Sequence, residues 1–328
     1  MPRVRPTPLN LRIETGAISR VQPFWGTPRV SCQSAYQNPT RRGLKDLPTQ
    51  LKFWDEYARA VPDLSQRGNR VSAAFCEWMM GLPQGWTLPA PGVACPLPPP
   101  PRGRLRAIDL FSGVGGLSLG LSPWFETVVY CEANADCRDV LRARMRDGCL
   151  DEAPILDDVR GFSFDGQADA VVAGFPCTGV SSIGRRNGLD NEGTGLWTCV
   201  EEVVGRHAPD VVVLENVAAI LCANMRPLLD RVFGFLLQRG YSVRYCVLAA
   251  NEVGAPHIRK RFFLLATRPG VQLLSRKPLC SREWPPCPLP IADVMTRGSA
   301  EKSRLRMLGN VVVPRQAFAA IQFMRQFT

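Results

Sequence analysis

Short apolar runs that alternate with helical patterns constrain the fold of this chain most strongly. The runs span residues 105–111, 128–131, 169–173, 210–214, 243–249 and 262–266, and helical spacing is expected over 135–145, 196–206, 226–239 and 314–323. Continuous apolar strands that alternate with helices are typical of a mainly parallel sheet covered on both faces. We therefore predict an α/β fold with helices on both sides of one sheet.

Charge narrows the class of partner. The chain has 328 residues, 45% of them hydrophobic, and a formal net charge of +11. Such an excess favours a polyanionic partner, with nucleic acid first and an anionic membrane second. No apolar run reaches the roughly 18 residues of a membrane-spanning helix, and the N-terminus lacks the apolar core of a secretory signal. We expect a cytoplasmic protein of a bacterial or phage-infected cell, or a nuclear protein in a eukaryote.

Cysteine and histidine usage gives little support to a metal site. The twelve cysteines are scattered and no pair has CxxC spacing, so structural zinc is poorly supported and free thiols in a reducing compartment are expected. The chain has only two histidines, His207 and His257, which leaves few candidates for histidine-based catalysis.

The first 103 residues differ in composition from the rest. Residues 1–87 are basic, with short helices expected over 49–60 and Ala73–Met80, and the proline-rich residues 88–103 are expected to form an extended linker. Two compatible interpretations apply to residues 1–87. Aromatic residues such as Trp78 and Trp86 could form a small core that packs on the main domain, or the arginines and lysines between the aromatics could contact nucleic acid.

The first two predicted strands end in residues suited to a nucleoside cofactor. The first strand leads into Asp109-Leu110-Phe111-Ser112-Gly113-Val114-Gly115-Gly116-Leu117, whose glycines let the backbone approach a ligand closely. The second ends at Glu132, an acid that could accept hydrogen bonds from ribose hydroxyls, and Asp157 and Asp158 follow a short apolar step. Ligands of such sheets bind at the carboxyl ends of the strands, so these residues should converge on one crevice.

The next two strands end in groups suited to covalent chemistry. Cys177 lies in Gly174-Phe175-Pro176-Cys177-Thr178-Gly179-Val180-Ser181, a turn of small residues where a thiol is more often reactive than inside an element. Glu215, in Glu215-Asn216-Val217, lies at a strand tip beside an apolar wall, which should raise its pKa. Glu215 could donate a proton to a base ring or cap a helix.

These three motifs and Leu308-Gly309-Asn310-Val311-Val312-Val313-Pro314 resemble, in the same order, the motifs of phage and bacterial DNA (cytosine-5) methyltransferases. The resemblance covers residues 104–268 and 301–328. It implies a Rossmann-like methyltransferase sheet that binds S-adenosylmethionine, with helices on both faces and a small irregular N-terminal segment. It also implies a short target-recognition insert at 269–302 and a closing motif and helix at 303–328.

The resemblance assigns a role to each matching residue. Cys177 corresponds to the nucleophile and Glu215 to the acid that engages cytosine. Arg259 and Arg261 match a pair of arginines, one of which is placed to bind the cytosine carbonyl, and Phe175, Ser181 and Asn216 would face the substrate. The implied S-adenosylmethionine site comprises Asp109, Phe111, Ser112, Gly113, Gly115, Gly116, Leu117, Glu132, Asp158, Pro176, Asn310 and Val312.

The implied reaction follows from the chemistry of cytosine. A base inside a duplex must be flipped out to be reached. Addition of the Cys177 thiolate at carbon 6, assisted by Glu215 at ring nitrogen 3, makes carbon 5 nucleophilic enough to accept a methyl group. Loss of the carbon 5 proton and of Cys177 restores the ring, and the sequence does not identify the base for that step. We expect a monomer that acts on double-stranded DNA without a metal or a membrane.

The chain departs from the family pattern beside the nucleophile and in the insert. Thr178 and Val180 replace a glutamine and a phenylalanine, His257 replaces a glutamine, and Glu192 stands where an arginine is common. The insert is short, and residues 75–87 loosely resemble a C-terminal tail of some phage-type members. We hypothesise that residues 1–87 supply part of the DNA-binding surface, the alternative being a stabilising cap.

Other functions remain open at this point. A transfer-RNA cytosine methyltransferase would carry the same motifs, and a catalytically silent DNA-binding relative could have lost activity through the changes at Thr178 and Val180. A nicotinamide dehydrogenase is disfavoured, because the glycine-rich turn lacks GxGxxG and Gly-Phe-Pro-Cys would go unexplained.

Overall fold

The computed structural model describes residues 69–95, 98–176, 192–277, 284–285, 287–289, 295–297 and 301–327. The expected helix at 49–60 lies outside these residues. The described strands and α-helices are, in chain order, β1 (Asn69–Val71), α1 (Ala73–Met80), β2 (Leu105–Leu110), α2 (Gly116–Leu121), β3 (Phe125–Cys131), α3 (Ala135–Arg146), β4 (Ile155–Leu156), β5 (Ala170–Ala173), α4 (Glu192–His207), β6 (Val211–Val217), α5 (Arg226–Gln238), β7 (Ser242–Ala249), β8 (Lys260–Thr267), β9 (Met295–Arg297), α6 (Lys302–Asn310) and α7 (Pro314–Met324).

Seven strands form the main sheet, in the order β4-β3-β2-β5-β6-β8-β7. Neighbours from β4 to β6 run parallel, whereas β8 is antiparallel to both β6 and β7. This confirms the predicted mainly parallel α/β sheet and adds an antiparallel edge. The strand order reverses between β2 and β5, and ligands bind at such a switch point in open α/β sheets.

Both faces of the sheet are covered, as the continuous apolar strands predict. Val171 and Ala173 of β5 pack in one cluster with α4 and α5, while Ala170 and Val172 pack in another with α2 and α7. Successive side chains of a strand point to opposite faces, so a strand buried on both faces cannot show polar alternation.

Residues 71–93 pack against the sheet domain. Phe75, Met79 and Trp86 share one buried apolar cluster with Val114 and Leu308. Helix α1 spans the expected residues because Ser72 caps its start, with its hydroxyl oxygen accepting from the Phe75 N–H at 3.2 Å, and Gly81 ends it at φ 70°. The small-core interpretation therefore describes residues 71–87, and the nucleic-acid interpretation stays a prediction for residues 1–68, outside the described part.

The proline-rich residues contact the C-terminal end of α3. The Asp147 carboxylate accepts from the Gly92 N–H at 2.6 Å and the Val93 N–H at 3.3 Å, and Arg144 donates to the Ala90 carbonyl at 2.5 Å. Residues 88–91 form bends, and the stretch is tied to the sheet domain over residues 90–93, so the extended linker stays a prediction.

The described parts of the insert contact the N-terminal segment. Strand β9 pairs antiparallel with β1. The Trp78 indole N–H donates to the Pro285 carbonyl at 2.9 Å, and the Trp284 indole N–H donates to the Trp78 carbonyl at 3.3 Å. The described residues of the insert thus pack against residues 69–78. In the part of the chain described here, no helix has the length and apolarity needed to cross a membrane.

Candidate active site

The glycine-rich turn between β2 and α2 takes up backbone angles that most residues avoid. Gly113 and Gly115 have φ values of 55° and 81°, and Phe111, which is not a glycine, has φ 58°. A non-glycine residue in this region is uncommon, and such strain concentrates at functional sites. Packing fixes the turn from outside, because a Cβ on Gly115 would lie 2.5 Å from Leu150 Cδ1.

Asp109 is a buried carboxyl group beneath this turn. The Ser118 hydroxyl donates to Asp109 Oδ2, whereas Oδ1 has no hydrogen-bond partner among the described residues. Burial raises the pKa of Asp109 from 3.8 to about 7, although the Ser118 hydrogen bond opposes the shift and the charge of Glu132 adds to it. A buried polar atom without a partner calls for an explanation, and a ligand is one.

Glu132 connects the turn to the second strand. Glu132 Oε2 accepts from the Gly113 N–H at 2.8 Å, and Oε1 accepts from the Asn134 N–H at 2.7 Å, just ahead of α3. The Ser112 N–H donates to the Cys131 carbonyl at 3.1 Å. Hydrogen bonds thus join the ends of β2 and β3. Glu132, the acid predicted to bind a ribose, makes one of these bonds.

Asp158 lies at the rim of this region, and it is exposed. Its Oδ1 accepts from the Arg160 N–H at 2.9 Å, and its ion pair with Arg160 is long, at 3.8 Å. Exposed pairs of this kind contribute little to stability. The predicted contact of Asp158 with an adenine stays a prediction.

Glu215 and Arg261 form a largely buried ion pair at the tip of β6. Arg261 Nε lies 2.9 Å from Glu215 Oε1, and each side chain is 13% exposed. The pairing of β6 with β8 brings them together, because Val217 lies opposite Arg261. Burial raises the pKa of Glu215, while the charges of Arg261 and Arg259 lower it, and the net shift is upward as the sequence predicted.

Gly174 joins the glycine-rich turn to this pair. A Cβ at Gly174 would lie 3.5 Å from Glu215 Oε2 and 3.9 Å from the Phe111 carbonyl oxygen. Three strand ends, those of β2, β5 and β6, therefore meet within van der Waals distance. The convergence expected from the sequence is present at the switch point.

The residues that follow Gly174 are fixed by the core. The Asn216 amide donates to the Phe175 carbonyl at 3.0 Å, and the Val217 N–H donates to Asn216 Oδ1 at 2.8 Å. The Phe175 ring is buried against Trp197, with ring centroids 5.5 Å apart. Phe175 and Asn216, both predicted to face the substrate, are buried in this structure and hydrogen-bonded to each other, whereas Pro176 is exposed.

Cys177 and Ser181 lie outside the described residues, as do Thr178 and Val180. The last described position before them is Pro176. The predicted nucleophile therefore stays a prediction, and Gly174, three positions before it, is the described residue that lies beside Glu215.

Arg259 contacts the closing motif. It is buried and donates to the Gly309 carbonyl at 3.0 Å and to the Val311 carbonyl at 2.7 Å. The Gln316 amide donates to the Arg259 carbonyl at 2.7 Å. These contacts link the residue that precedes β8 to the closing motif. The predicted catalytic role of Arg259 stays a prediction.

The closing motif packs on the glycine-rich turn. A Cβ on Gly116 would lie 2.5 Å from Val311 Cγ2 and 3.0 Å from the Val312 carbonyl oxygen. Val312 and Leu117 are buried, while Asn310, at the end of α6, is exposed. The two segments predicted to share the cofactor site are thus adjacent.

Sequence reasoning missed contacts made by residues 77–87. The Trp86 indole N–H donates to the Val114 carbonyl at 2.8 Å, inside the glycine-rich turn. Buried Glu77 accepts from Arg304 at 3.0 Å. His257 Nε2 lies 3.0 Å from the Met79 carbonyl oxygen, and burial lowers its pKa to about 3. An unusual density of tryptophan and methionine was the available signal, and it did not identify partners.

Comparison with known proteins identifies relatives. A family model for C-5 cytosine-specific DNA methylases matches residues 105–318. The type II methyltransferase M.CviJI of Paramecium bursaria Chlorella virus IL3A is 30% identical over 221 residues, 64% of this chain and 57% of that protein. M2.BsuMI of Bacillus subtilis strain 168 is 30% identical over 168 residues, 50% of this chain and 42% of that protein.

A solved structure is also similar. A DNA modification methyltransferase encoded within an E. coli prophage is 24% identical, with a TM-score of 0.43, and the match covers 50% of this chain and 47% of that one. The chain spans about half the length of the curated relatives it matches. Because the family model covers most of the chain, from β2 to α7, the protein belongs to the C-5 cytosine-specific DNA methylase family.

Proposed function

We propose that the protein transfers a methyl group from S-adenosylmethionine to carbon 5 of cytosine in DNA. The observation that carries the proposal is the buried Glu215–Arg261 pair, which lies beside Gly174 and within reach of the glycine-rich turn. The Glu215 carboxyl group and the glycine-rich turn are therefore close neighbours, which supports one site for both substrates. Family membership and the net charge of +11 support DNA as the substrate.

The residues present fit a nucleoside cofactor. Asp109 Oδ1 is buried without a partner among the described residues, and the Gly113 N–H of the glycine-rich turn donates to the Glu132 carboxylate. Phe111, Glu132 and Asp158 would hold the nucleoside part, and the turn with Val312 would enclose the rest. When bound, S-adenosylmethionine supplies an electrophilic methyl group on a positively charged sulfur.

Glu215 is suited to act on the cytosine ring. Its pKa is raised by burial, so the carboxyl group retains a proton to higher pH than an exposed glutamate would. Arg261 holds the carboxylate in one orientation through the 2.9 Å contact. A proton donated to ring nitrogen 3 withdraws electrons from carbon 6 and makes that atom open to thiolate attack.

Cys177 would supply the thiolate. The Asn216–Phe175 hydrogen bond fixes the loop two residues before it. Addition of the thiolate to carbon 6 forms the sulfur–carbon bond and makes carbon 5 nucleophilic, so that carbon 5 takes the methyl group and displaces neutral S-adenosylhomocysteine. Elimination breaks the sulfur–carbon bond, as the carbon 5 proton leaves, and regenerates the free cysteine.

The test is methyl transfer in vitro with labelled S-adenosylmethionine, using duplex DNA and transfer RNA as competing substrates. We expect label in DNA, recovered as 5-methylcytosine after digestion to nucleosides. Base-resolution sequencing of DNA from expressing cells then reports the sequence context. Label in transfer RNA alone would replace this proposal with the RNA alternative, and binding of DNA without any label would indicate a catalytically silent relative.

A further inference from the structure

Trp86 lies outside the residues that match the family, yet it contacts the centre of the glycine-rich turn. The family match begins at residue 105. The Trp86 side chain is fully buried, and its indole N–H donates to the Val114 carbonyl at 2.8 Å. The two side chains also share one apolar cluster.

The Val114 carbonyl needs such a donor. Helix α2 begins at Gly116 with Gly115 as its N-cap, and the Leu119 N–H donates to the Gly115 carbonyl at 2.9 Å. Val114 therefore precedes the hydrogen-bond ladder of the helix. A buried backbone carbonyl outside a ladder is almost always paired by another group. In this chain the indole N–H of Trp86 provides the partner.

The intrinsic backbone preference of Gly115 does little to fix the orientation of the peptide between Val114 and Gly115. Gly115 has φ 81°, and glycine adopts either sign of φ at little cost. Without the indole donor, this peptide could turn its carbonyl towards solvent, and the Gly115 N–H would leave the Ser112 carbonyl, from which it is now 2.9 Å away. The shape of the turn would then no longer be unique.

Helix α3 holds Trp86 in place. Arg144 donates to the Gly85 carbonyl at 2.9 Å and to the Trp86 carbonyl at 2.7 Å, and its guanidinium lies 5.7 Å from the centre of the indole ring. Asp147, one turn further on, pairs with Arg144 at 2.9 Å. The same helix follows Glu132, so Trp86 is anchored to an element that borders the candidate cofactor site.

We propose that Trp86 is a positioning residue for the cofactor: its indole N–H fixes the Val114 peptide, so the glycine-rich turn is preorganised by a segment N-terminal to the family domain. The inference rests on the proposed function, because it assumes that the turn binds S-adenosylmethionine. Preorganisation raises affinity by removing the cost of ordering the site on binding.

Replacement of Trp86 by phenylalanine tests this, since the aromatic ring stays and the N–H is lost. Trp78→Phe is the matched control, because the Trp78 indole N–H donates to Pro285 and not to the turn. Titration calorimetry with S-adenosylhomocysteine should show a Kd about tenfold weaker for W86F, the loss typical of one buried hydrogen bond. W78F should bind as the wild type does. Hydrogen exchange without ligand should speed up over residues 111–119 in W86F alone.

Steady-state kinetics separates a positioning role of Trp86 from a general loss of structure. In W86F the KM for S-adenosylmethionine should rise about tenfold, while the KM for DNA and kcat stay within about twofold. If W86F does not fold, Arg144→Lys is the second variant, since it keeps the indole but weakens its anchor, and it should shift Kd in the same direction by less.

Two outcomes are decisive and distinguishable. Unchanged affinity and exchange in folded W86F, with a wild type that binds the ligand, would overturn the role of Trp86 and leave the proposed function intact. A wild type that binds no S-adenosylhomocysteine would overturn the proposed function, and this inference with it.

Discussion

At Glu215, a structural cost accompanies the proposed chemical role. Taking a carboxylate out of water costs several kcal/mol, and a partner repays this only with good geometry. Arg261 provides that partner at 2.9 Å, yet the pKa of Glu215 remains raised because burial outweighs both arginines. A carboxyl group whose pKa is raised can give up a proton to a bound base more readily than an ordinary glutamate, and a cationic partner steadies the carboxylate that results.

Glu215→Gln should lower kcat by about 10² to 10⁴-fold, the usual contribution of a general acid. The amide can still form hydrogen bonds, but it has no acidic proton. Affinity for S-adenosylhomocysteine should be unchanged. Asp230→Asn is the control, because Asp230 belongs to an exposed pair with Arg226. Steady-state kinetics with DNA as substrate measures both variants. A glutamine variant that keeps most of the wild-type kcat would rule out Glu215 as the general acid.

The raised pKa of Asp109 should make the free energy of unfolding depend on pH. Its pKa is about 7 in the folded chain and 3.8 as a free side chain, through burial. The folded state thus binds a proton that the unfolded state has lost, so the stabilising contribution is full below pH 4 and declines as pH rises towards 7. Asp109→Asn removes that proton exchange.

The measurement is urea unfolding of wild type and Asp109→Asn at pH 5 and pH 8, without ligand. Between these values the wild type should lose about 3 kcal/mol of unfolding free energy relative to the variant. A difference that does not change with pH would mean that Asp109 is ionised throughout.

At the scale of elements, close packing between α2 and α7 positions the turn. A Cβ on Gly120 would lie 2.4 Å from the Pro314 carbonyl oxygen and 3.0 Å from Pro314 Cα. Both are backbone atoms, which cannot move aside without shifting a helix. The glycine therefore allows α7 to approach α2, and with it the closing motif to cover the glycine-rich turn.

Gly120→Ala should destabilise the protein by about 1 to 3 kcal/mol through overpacking. Gly234→Ala is the matched control, also within a helix, because nothing lies within 4 Å of its added Cβ. The control should stabilise by about 0.5 to 1 kcal/mol, since alanine is the better helix former. Thermal unfolding measures both, and equal shifts of Tm would contradict the packing argument.

Elements with strong apolar periodicity were predictable, whereas contacts between distant segments were not. The strand over 105–111 and the helix Ala73–Met80 follow from local pattern and caps. The β1–β9 pair joins residues more than 200 positions apart, and three-residue strands leave almost no periodicity to detect. Strand β8 runs antiparallel to both neighbours, a direction that the apolar pattern over 262–266 does not report.

The candidate active site likewise contains features that the sequence could predict and features that it could not. Glu215 and Arg261 could be matched to family motifs, and strand pairing places them in contact. The positions of Phe175 and Asn216 could not be predicted, because a motif does not say whether its residue faces the ligand or the core. The contact of Trp86 with the turn could not be predicted, because its partner is a backbone carbonyl and no side-chain pattern indicates such a partner.

At the scale of the whole molecule, the N-terminal part divides at about residue 69. Residues 71–87 belong to the core, whereas residues 1–68 contain eleven Lys or Arg against five Asp or Glu. More than half of the net charge of +11 therefore lies in a fifth of the chain. Such a concentration favours contact with nucleic-acid phosphates.

Deletion of residues 1–68 should leave a folded protein with weaker DNA binding and a shallower dependence of affinity on salt. The log–log slope should fall by about 0.9 for each DNA phosphate that the shortened protein no longer neutralises. Deletion of residues 1–87 should prevent folding, because it removes Phe75, Met79 and Trp86 from the core. Circular dichroism and DNA titrations at several salt concentrations test this. An unchanged slope in the shorter deletion would favour a purely structural role.

Covalent trapping is the sharpest test of the proposed attack of Cys177 on cytosine in DNA. With duplex DNA carrying 5-fluorocytosine and S-adenosylmethionine present, fluorine cannot leave carbon 5, so the adduct should persist as a complex stable to denaturing electrophoresis. We predict this complex for the wild type and for Cys222→Ser, a change at an exposed free cysteine, and its loss in Cys177→Ser. A complex that survives in Cys177→Ser, or a wild type that methylates DNA without any adduct, would contradict the account.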